Sequence, residues 1–198
     1  MTSTPTIIDA ILGRRSTAPR TLGLPGPGPE DLHSLASAAA AAPDHGRLGP
    51  LRLIHIPDDK RDALADLFME AAHAADPNAS AAVFEAAGAR ALSGPVLLAV
   101  IAHIQDDHTD IPPHEQWISV GAALQNVLLA AEARGFAAKI VSGRRVRSPV
   151  LRLAFRLAQN DHLVGFVMLG TVSVEAGSKP ASRRASGQIL SSWSPPGQ

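Results

Sequence analysis

Arg14-Arg15-Ser16 is the stretch of this 198-residue chain whose residue types suit chemistry most directly. A guanidinium and a hydroxyl two residues apart can grip one phosphate through charge-assisted hydrogen bonds. An arginine pair is also ordinary solvated surface, and both readings stand on these residues alone. A second basic group, Lys179, Arg183 and Arg184, lies far along the chain, and a shared phosphate would bring the two together. His103, His108 and His114 fall among Asp106, Asp107 and Asp110. Metal ligands need defined geometry, and this irregular, proline-containing spacing predicts a loop without a metal. Gly23, Gly26 and Gly28 are separated by prolines and follow no strand. They read as a loop, not as the strand–turn–helix of a dinucleotide fingerprint. No Gly-x-Ser-x-Gly elbow anchors a hydrolase triad.

Composition narrows the classes further. Eighteen basic and eighteen acidic residues cancel, leaving no global footprint for nucleic acid or an anionic membrane. The absence of cysteine excludes disulfides, thiol catalysis and cysteine-ligated zinc or iron–sulfur centres. The longest strongly apolar run, Pro95 to Ala102, is far short of the roughly 20 residues that span a bilayer. Met1 to Thr6 shows no signal-peptide pattern, so a cytoplasmic location is the expectation. Alanine fills 35 positions, whereas the aromatics are five Phe and two Trp. Small side chains bury little area each, at roughly 25 cal/mol per Å². Such a core needs close packing of its elements or a partner subunit.

The elements that must position these residues follow from pattern. Thr6 and Asp9 have capping-box spacing, and Ile7, Ile8, Ile11 and Leu12 fall on one helical face. Gly13 ends that helix, and Thr21 to Pro29 reads as a loop. Pro29 starts a second helix to about Ala41, and Pro43 to Gly46 is a turn. Leu51 to Ile56 alternates as a strand. Asp58 caps a third helix to about Ala75, and Ser80 a short one to Arg90. Val96 to Ile104 reads as a buried strand. Glu115 to Arg134 is a long helix stopped by Gly135. Phe136 to Val141 is a short strand ending at Ser142-Gly143. Ser148-Pro149 opens a helix to about Ala158, and Leu163 to Val172 is the last strand. Helices and strands alternate without strict βαβ regularity, which predicts a single α+β domain over residues 1–198. Residues 173–198 form its extended C-terminal tail.

In this order the segments resemble the FMN-dependent nitroreductase family, specifically its small single-domain members. The resemblance rests on six segments between Ile7 and Val172. They are Arg14-Arg15-Ser16, Ala42-Pro43-Asp44-His45, and the strand Leu51 to Ile56. Next come Pro112 to Gln116 leading into a long helix, Gly135-Phe136 to Ser142-Gly143, and Val164 to Thr171. Three departures stand out. Gly49-Pro50-Leu51 replaces a Gln-Pro-Trp, Ala41 an expected basic residue, and Ile140-Val141 a Trp-Arg pair, with Arg144 and Arg145 following directly. They remove aromatic surface and charge from the pocket that the resemblance implies.

The resemblance implies a central mixed β-sheet flanked by helices, in an intertwined homodimer with FMN at the subunit interface. Arg14 and Ser16 would hold the flavin phosphate, with Arg15 nearby and charge added by Arg183 or Arg184. Asp44 and His45 would lie beside the flavin from one subunit. Ile140, Val141, Ser142 and Gly143 would pass close to the ring, contributing mainly backbone groups. NAD(P)H would give hydride to the flavin, and a small-molecule electron acceptor would then take the electrons at the same face: a nitroaromatic, a quinone, or a small activated carbonyl or alkene. No acid–base residue is assigned, because such enzymes can take the proton from solvent. Two rivals remain: a non-catalytic flavin- or partner-binding subunit of the same fold, and a flavin-dependent dehydrogenase or desaturase.

Overall fold

The computed structural model describes residues 6–172 and 185–195. Helix α1 (Ile7–Gly13) opens with the expected capping box, Thr6 and Asp9 exchanging side-chain and backbone hydrogen bonds. A two-residue strand β1 (Leu22–Gly23) lies inside the stretch expected to be loop. Helix α2 (Pro29–Ala40) starts on its proline, which sits in the first turn where no N–H is needed. Strand β2 (Leu51–Ile56) follows, then α3 (Arg61–Ala75), α4 (Ala81–Ala89) and β3 (Val96–His103). The long α5 (Pro113–Ala133) ends before Gly135, whose φ of +84° suits the left-handed stop. Strand β4 (Ala137–Val141), α6 (Pro149–Ala154) and β5 (Asp161–Val172) complete the domain.

The five strands form one sheet of order β1-β5-β3-β2, with β4 also paired to β5. All four strand pairs are antiparallel, and the parallel component is the single bridge between Ser16 and Ala138. Successive side chains of a strand point to opposite faces, and β3 obeys this on two buried faces. Leu97, Ala99 and Ile101 join Leu64 and Phe68 of α3 and Leu151 of α6. Val96, Leu98 and Val100 join Leu35 of α2 and Val127 and Leu128 of α5. Phe166 and Val167 of β5 divide in the same way. The sheet is therefore the middle of three layers, as the α+β expectation requires.

The few aromatics are concentrated. Phe166 meets Phe68 edge-on at 5.1 Å and Phe155 at 6.0 Å, so three of the five phenylalanines anchor one face of the sheet. The other face is packed by leucine, valine and alanine. Ala39 of α2 and Ala123 and Ala131 of α5 are buried there, and Asn126 Nδ2 donates to the Ala38 carbonyl at 3.1 Å. Among the described residues no helix is long and apolar enough to cross a membrane.

Asp161 ties three strands at one end of the sheet. Its carboxylate lies 2.9 Å from His103 Nδ1, accepts the Ala158 N–H at 3.0 Å, and stands 3.6 Å from Arg52. Burial raises its pKa, but the bonds from His103 and Ala158 and the charges of His103 and Arg52 outweigh burial, leaving it below the usual carboxylate range. A carboxylate whose folded pKa is depressed stabilises the fold above its unfolded value, near 3.9, and that contribution fades as pH falls through the folded value. Urea midpoints measured from pH 6 down to pH 3 should therefore fall less steeply for Asp161→Asn than for the wild-type chain.

At Gly165 an added Cβ would sit 2.7 Å from the Val141 carbonyl oxygen, inside contact distance with backbone. Gly165→Ala should destabilise the domain by about 1–3 kcal/mol, seen as a lowered urea midpoint.

Candidate active site

Among the described residues, strand β4 has one paired edge and one edge left mostly open. Its inner edge pairs with β5 from Ala137–Gly170 to Val141–Phe166. On the outer edge, the Thr17 N–H donates to the Ala138 carbonyl at 3.2 Å. In an antiparallel ladder the backbone groups of alternate residues face the same edge. Ile140 therefore turns its N–H and C=O outward with those of Ala138. Its side chain packs into the core beneath α2 and α5, and that of Val141 packs into the core that holds Phe68 and Phe166. Ile140 thus has backbone polar groups on the outer edge, whereas those of Val141 face β5. Beyond them Gly143 has φ +114°, a region that side-chain-bearing residues rarely adopt. That glycine turns the chain into a short 3-10 turn, Arg144–Arg147.

The capped helix α1 delivers Arg14-Arg15-Ser16 to the start of this edge. Arg14 and Arg15 line a cleft of about 370 Å³ with Thr17, Glu132, Phe136 and Ala138, and Ser16 bridges Ala138. Arg15 is engaged locally: its Nη1 donates to the carbonyls of Leu12, Gly13 and Arg14 at 2.8, 2.9 and 3.1 Å, closing the C-terminus of α1. Arg14, Ser16 and the Ile140–Gly143 run therefore border one strand edge.

Asp44 and His45 lie elsewhere. Asp44 accepts the Gly49 N–H at 2.7 Å. His45 Nδ1 is 2.7 Å from Glu115 Oε2, an exposed pair at the first turn of α5. Arg14 is near the last turn of the same helix, beside Leu128 and Glu132. The 17 residues from Glu115 to Glu132 span about 25 Å at 1.5 Å each. One chain does not bring Asp44 and His45 to Arg14. Arg183 and Arg184 lie outside the described residues.

Asp44 instead borders a second cleft, of about 310 Å³, walled by Ala36, Ala39, Ala40, Ala42, Leu51 and Ala123 with Ser119 at its rim. Leu51, the residue that stands where the resemblance expects tryptophan, is part of that wall. The polar cluster of residues 103–114 is held by local bonds. His108 Nδ1 accepts the Asp110 and Ile111 N–H groups, and the buried Gln116 side chain clasps Gln105 and Ile111. Two features had no assignment from sequence: the Glu115 partner of His45, and the arginine turn after Gly143. The signal for the second was present, as three arginines in four residues behind a glycine.

Comparison with known proteins places these features in context. The Nitroreductase family profile matches residues 11–171. The Escherichia coli (strain K12) protein named "Putative NAD(P)H nitroreductase YdjA" is 31% identical over 169 residues, covering 85% of this chain and 90% of that protein. A nitroreductase-like family protein from Bacillus cereus superimposes with a TM-score of 0.79 at 22% identity, covering 96% of this chain and 97% of that one. A mutant of an FMN and NADPH-dependent nitroreductase from sphigopyxis sp. strain HMH does so with a TM-score of 0.75 at 18% identity, covering 94% and 98%. Both likenesses confirm the fold.

The backbone at Gly143 yields a direct check. Gly143→Ala forces a Cβ into a mirror-image backbone region, and should lower stability by about 1–3 kcal/mol in urea unfolding, although no atom obstructs the new methyl.

Proposed function

The chain belongs to the nitroreductase family, and from that premise we propose that it is a homodimeric, FMN-dependent oxidoreductase. It would use NAD(P)H to reduce a small acceptor: a nitroaromatic, a quinone, or an activated carbonyl or alkene. The observation that carries the reading is the open edge of β4. Arg14 and Ser16, a cation and a hydroxyl suited to a phosphate, stand at its start, and a glycine turn at its end.

The residues fit FMN in kind. Arg14 and Ser16 supply a cation and a hydroxyl for the phosphate. Ile140 supplies outward backbone groups for the polar margin of a flat ring, and Ser142 and Gly143 continue that margin. Arg15 acts indirectly, by closing α1 and so holding the Arg14 backbone in place. When bound, FMN supplies the redox chemistry, accepting hydride from NAD(P)H and releasing two electrons to the acceptor. For a nitro acceptor the net reaction consumes one NAD(P)H and one proton, and yields NAD(P)+, the nitroso product and water. The outward Ile140 N–H would favour the negative charge of the reduced flavin if the ring lies along this edge. The proton comes from solvent.

Two observations support the homodimer. The apolar face of α1, Ile7, Ile8, Ile11 and Leu12, is exposed along its whole length, although its spacing is that of a buried stripe. If Asp44, His45 and Arg14 serve one flavin, as the resemblance implies, their separation along α5 calls for a second chain. Asp44 of the partner subunit and the partner subunit's His45 would then complete each flavin site.

Purified protein should be yellow, or turn yellow with added FMN, and oxidise NAD(P)H once an acceptor is supplied. Protein that stays colourless in saturating FMN would sink the proposal. Bound flavin that neither NADH nor NADPH reduces without oxygen would overturn its catalytic half. Arg14→Ala should weaken FMN by about 1.5–3 kcal/mol in fluorescence titrations, the range for hydrogen bonds to charged groups. Unchanged affinity would remove Arg14 from the site.

A further inference from the structure

The turn after Gly143 carries Arg144, Arg145 and Arg147 on four residues. Among the described residues no carboxylate forms an ion pair with any of them. Arg144 and Arg147 are exposed. Arg145 is held in place: its guanidinium carbon lies 4.8 Å from the centre of the Phe68 ring, and its Nη1 is buried without a hydrogen-bond partner. Burial, and then the charge of Arg90, push its pKa below the usual arginine value. Three arginines therefore share one short turn beyond the proposed flavin edge, with Arg90 near Arg145, and among the described residues no carboxylate pairs with the three.

An uncompensated cationic cluster is costly to the free protein and favourable to an anion that enters it. A guanidinium already stripped of part of its water gains more from that anion than a solvated one does. The number of guanidiniums indicates the ligand. A carboxylate is matched by one bidentate arginine, whereas a phosphate monoester carries close to two charges and three acceptor oxygens near neutral pH. Position adds to this, because the reductant must approach the same edge, and the turn begins at the residue after Gly143.

We propose that Arg144, Arg145 and Arg147 form a subsite for the 2′-phosphate of NADPH, so that the protein discriminates NADPH from NADH. This rests on the flavin-reductase reading above and adds to it the identity of the reductant. Arg144 and Arg147 contact the phosphate directly. Arg145, stacked on Phe68, supplies a fixed positive field behind them.

Calorimetric titration of the FMN-loaded protein with 2′,5′-ADP and with 5′-ADP tests this, since the two nucleotides carry the same number of phosphates in different places. The wild-type protein should bind 2′,5′-ADP about tenfold or more tightly than 5′-ADP, the scale of one charge-assisted contact. Arg144→Ala with Arg147→Ala removes two exposed side chains that hold nothing else in the fold. That variant should lose this margin, keep its affinity for 5′-ADP, and lose NADPH but not NADH efficiency in kcat/KM. Equal binding of the two nucleotides by the wild type, or an unchanged margin in the variant, would overturn the proposal. So would displacement of 2′,5′-ADP by equimolar inorganic phosphate, which would make the turn a general anion site. A flavin titration of the same preparations separates the two ideas. Absence of FMN binding counts against the flavin reading, and loss of nucleotide discrimination with FMN bound counts against the arginine turn alone.

Discussion

The antiparallel pairing of β4 with β5 positions the rest of the site. Five register pairs hold β4 by its inner edge, and its side chains are anchored in the cores on both faces of the sheet. Among the described residues the backbone of the outer edge is left over, and Ser16-Thr17 meets it at one point. Gly165 makes the approach possible, since any larger residue would push the Val141 carbonyl away. The same register fixes where β4 stops, hence where Gly143 turns and where the arginine turn begins. Binding groups held by a sheet in this way are more rigid than groups on a loop.

Helix α5 sets the second constraint, which is one of distance. It carries Glu115 with His45 at one end, and Leu128 and Glu132 beside Arg14 at the other. A single chain therefore presents Arg14, Ser16 and a strand edge in one place, and Asp44 with His45 in another. The apolar stripe of α1 is exposed among the described residues, which suits a surface that meets another. The alanine content of the chain then has two structural uses. Alanines along α2 and α5 let these helices pack closely over the sheet, and they also wall the cleft beside Asp44, where Leu51 leaves room.

What could be read from sequence was what depends on local pattern. The α1 capping box, strand β2, the two-sided burial of β3 and the glycine stop after α5 all come from neighbouring residues, and each stands where expected. The misses depend on distant partners. Leu22–Gly23 becomes a strand only because Thr171 and Val172 lie opposite. The helix expected from Pro149 to Ala158 ends at Ala154. Arg152 there reaches the carbonyls of Ala158, Gln159 and Asp161, which fixes a loop in place of further helical turns. The helix expected to start at Asp58 is preceded by a 3-10 turn, Asp58–Lys60, and begins at Arg61. Arg61 is buried and donates to the carbonyls of Ala91, Ser93 and Gly94, some thirty residues away. At the candidate site, the nearness of Arg14-Arg15-Ser16 to strand β4 follows from the bridge between Ser16 and Ala138, which no local pattern encodes. The distance of Asp44 and His45 from Arg14 was not legible either, since it depends on the straight length of α5.

The central claim is that two copies of the chain complete each flavin site. Sedimentation velocity recorded at the visible absorbance of FMN tests it most directly. The account predicts that the flavin moves with a species of twice the 20.6 kDa chain mass, at one flavin per chain. Flavin sedimenting with the single chain at full occupancy would contradict it.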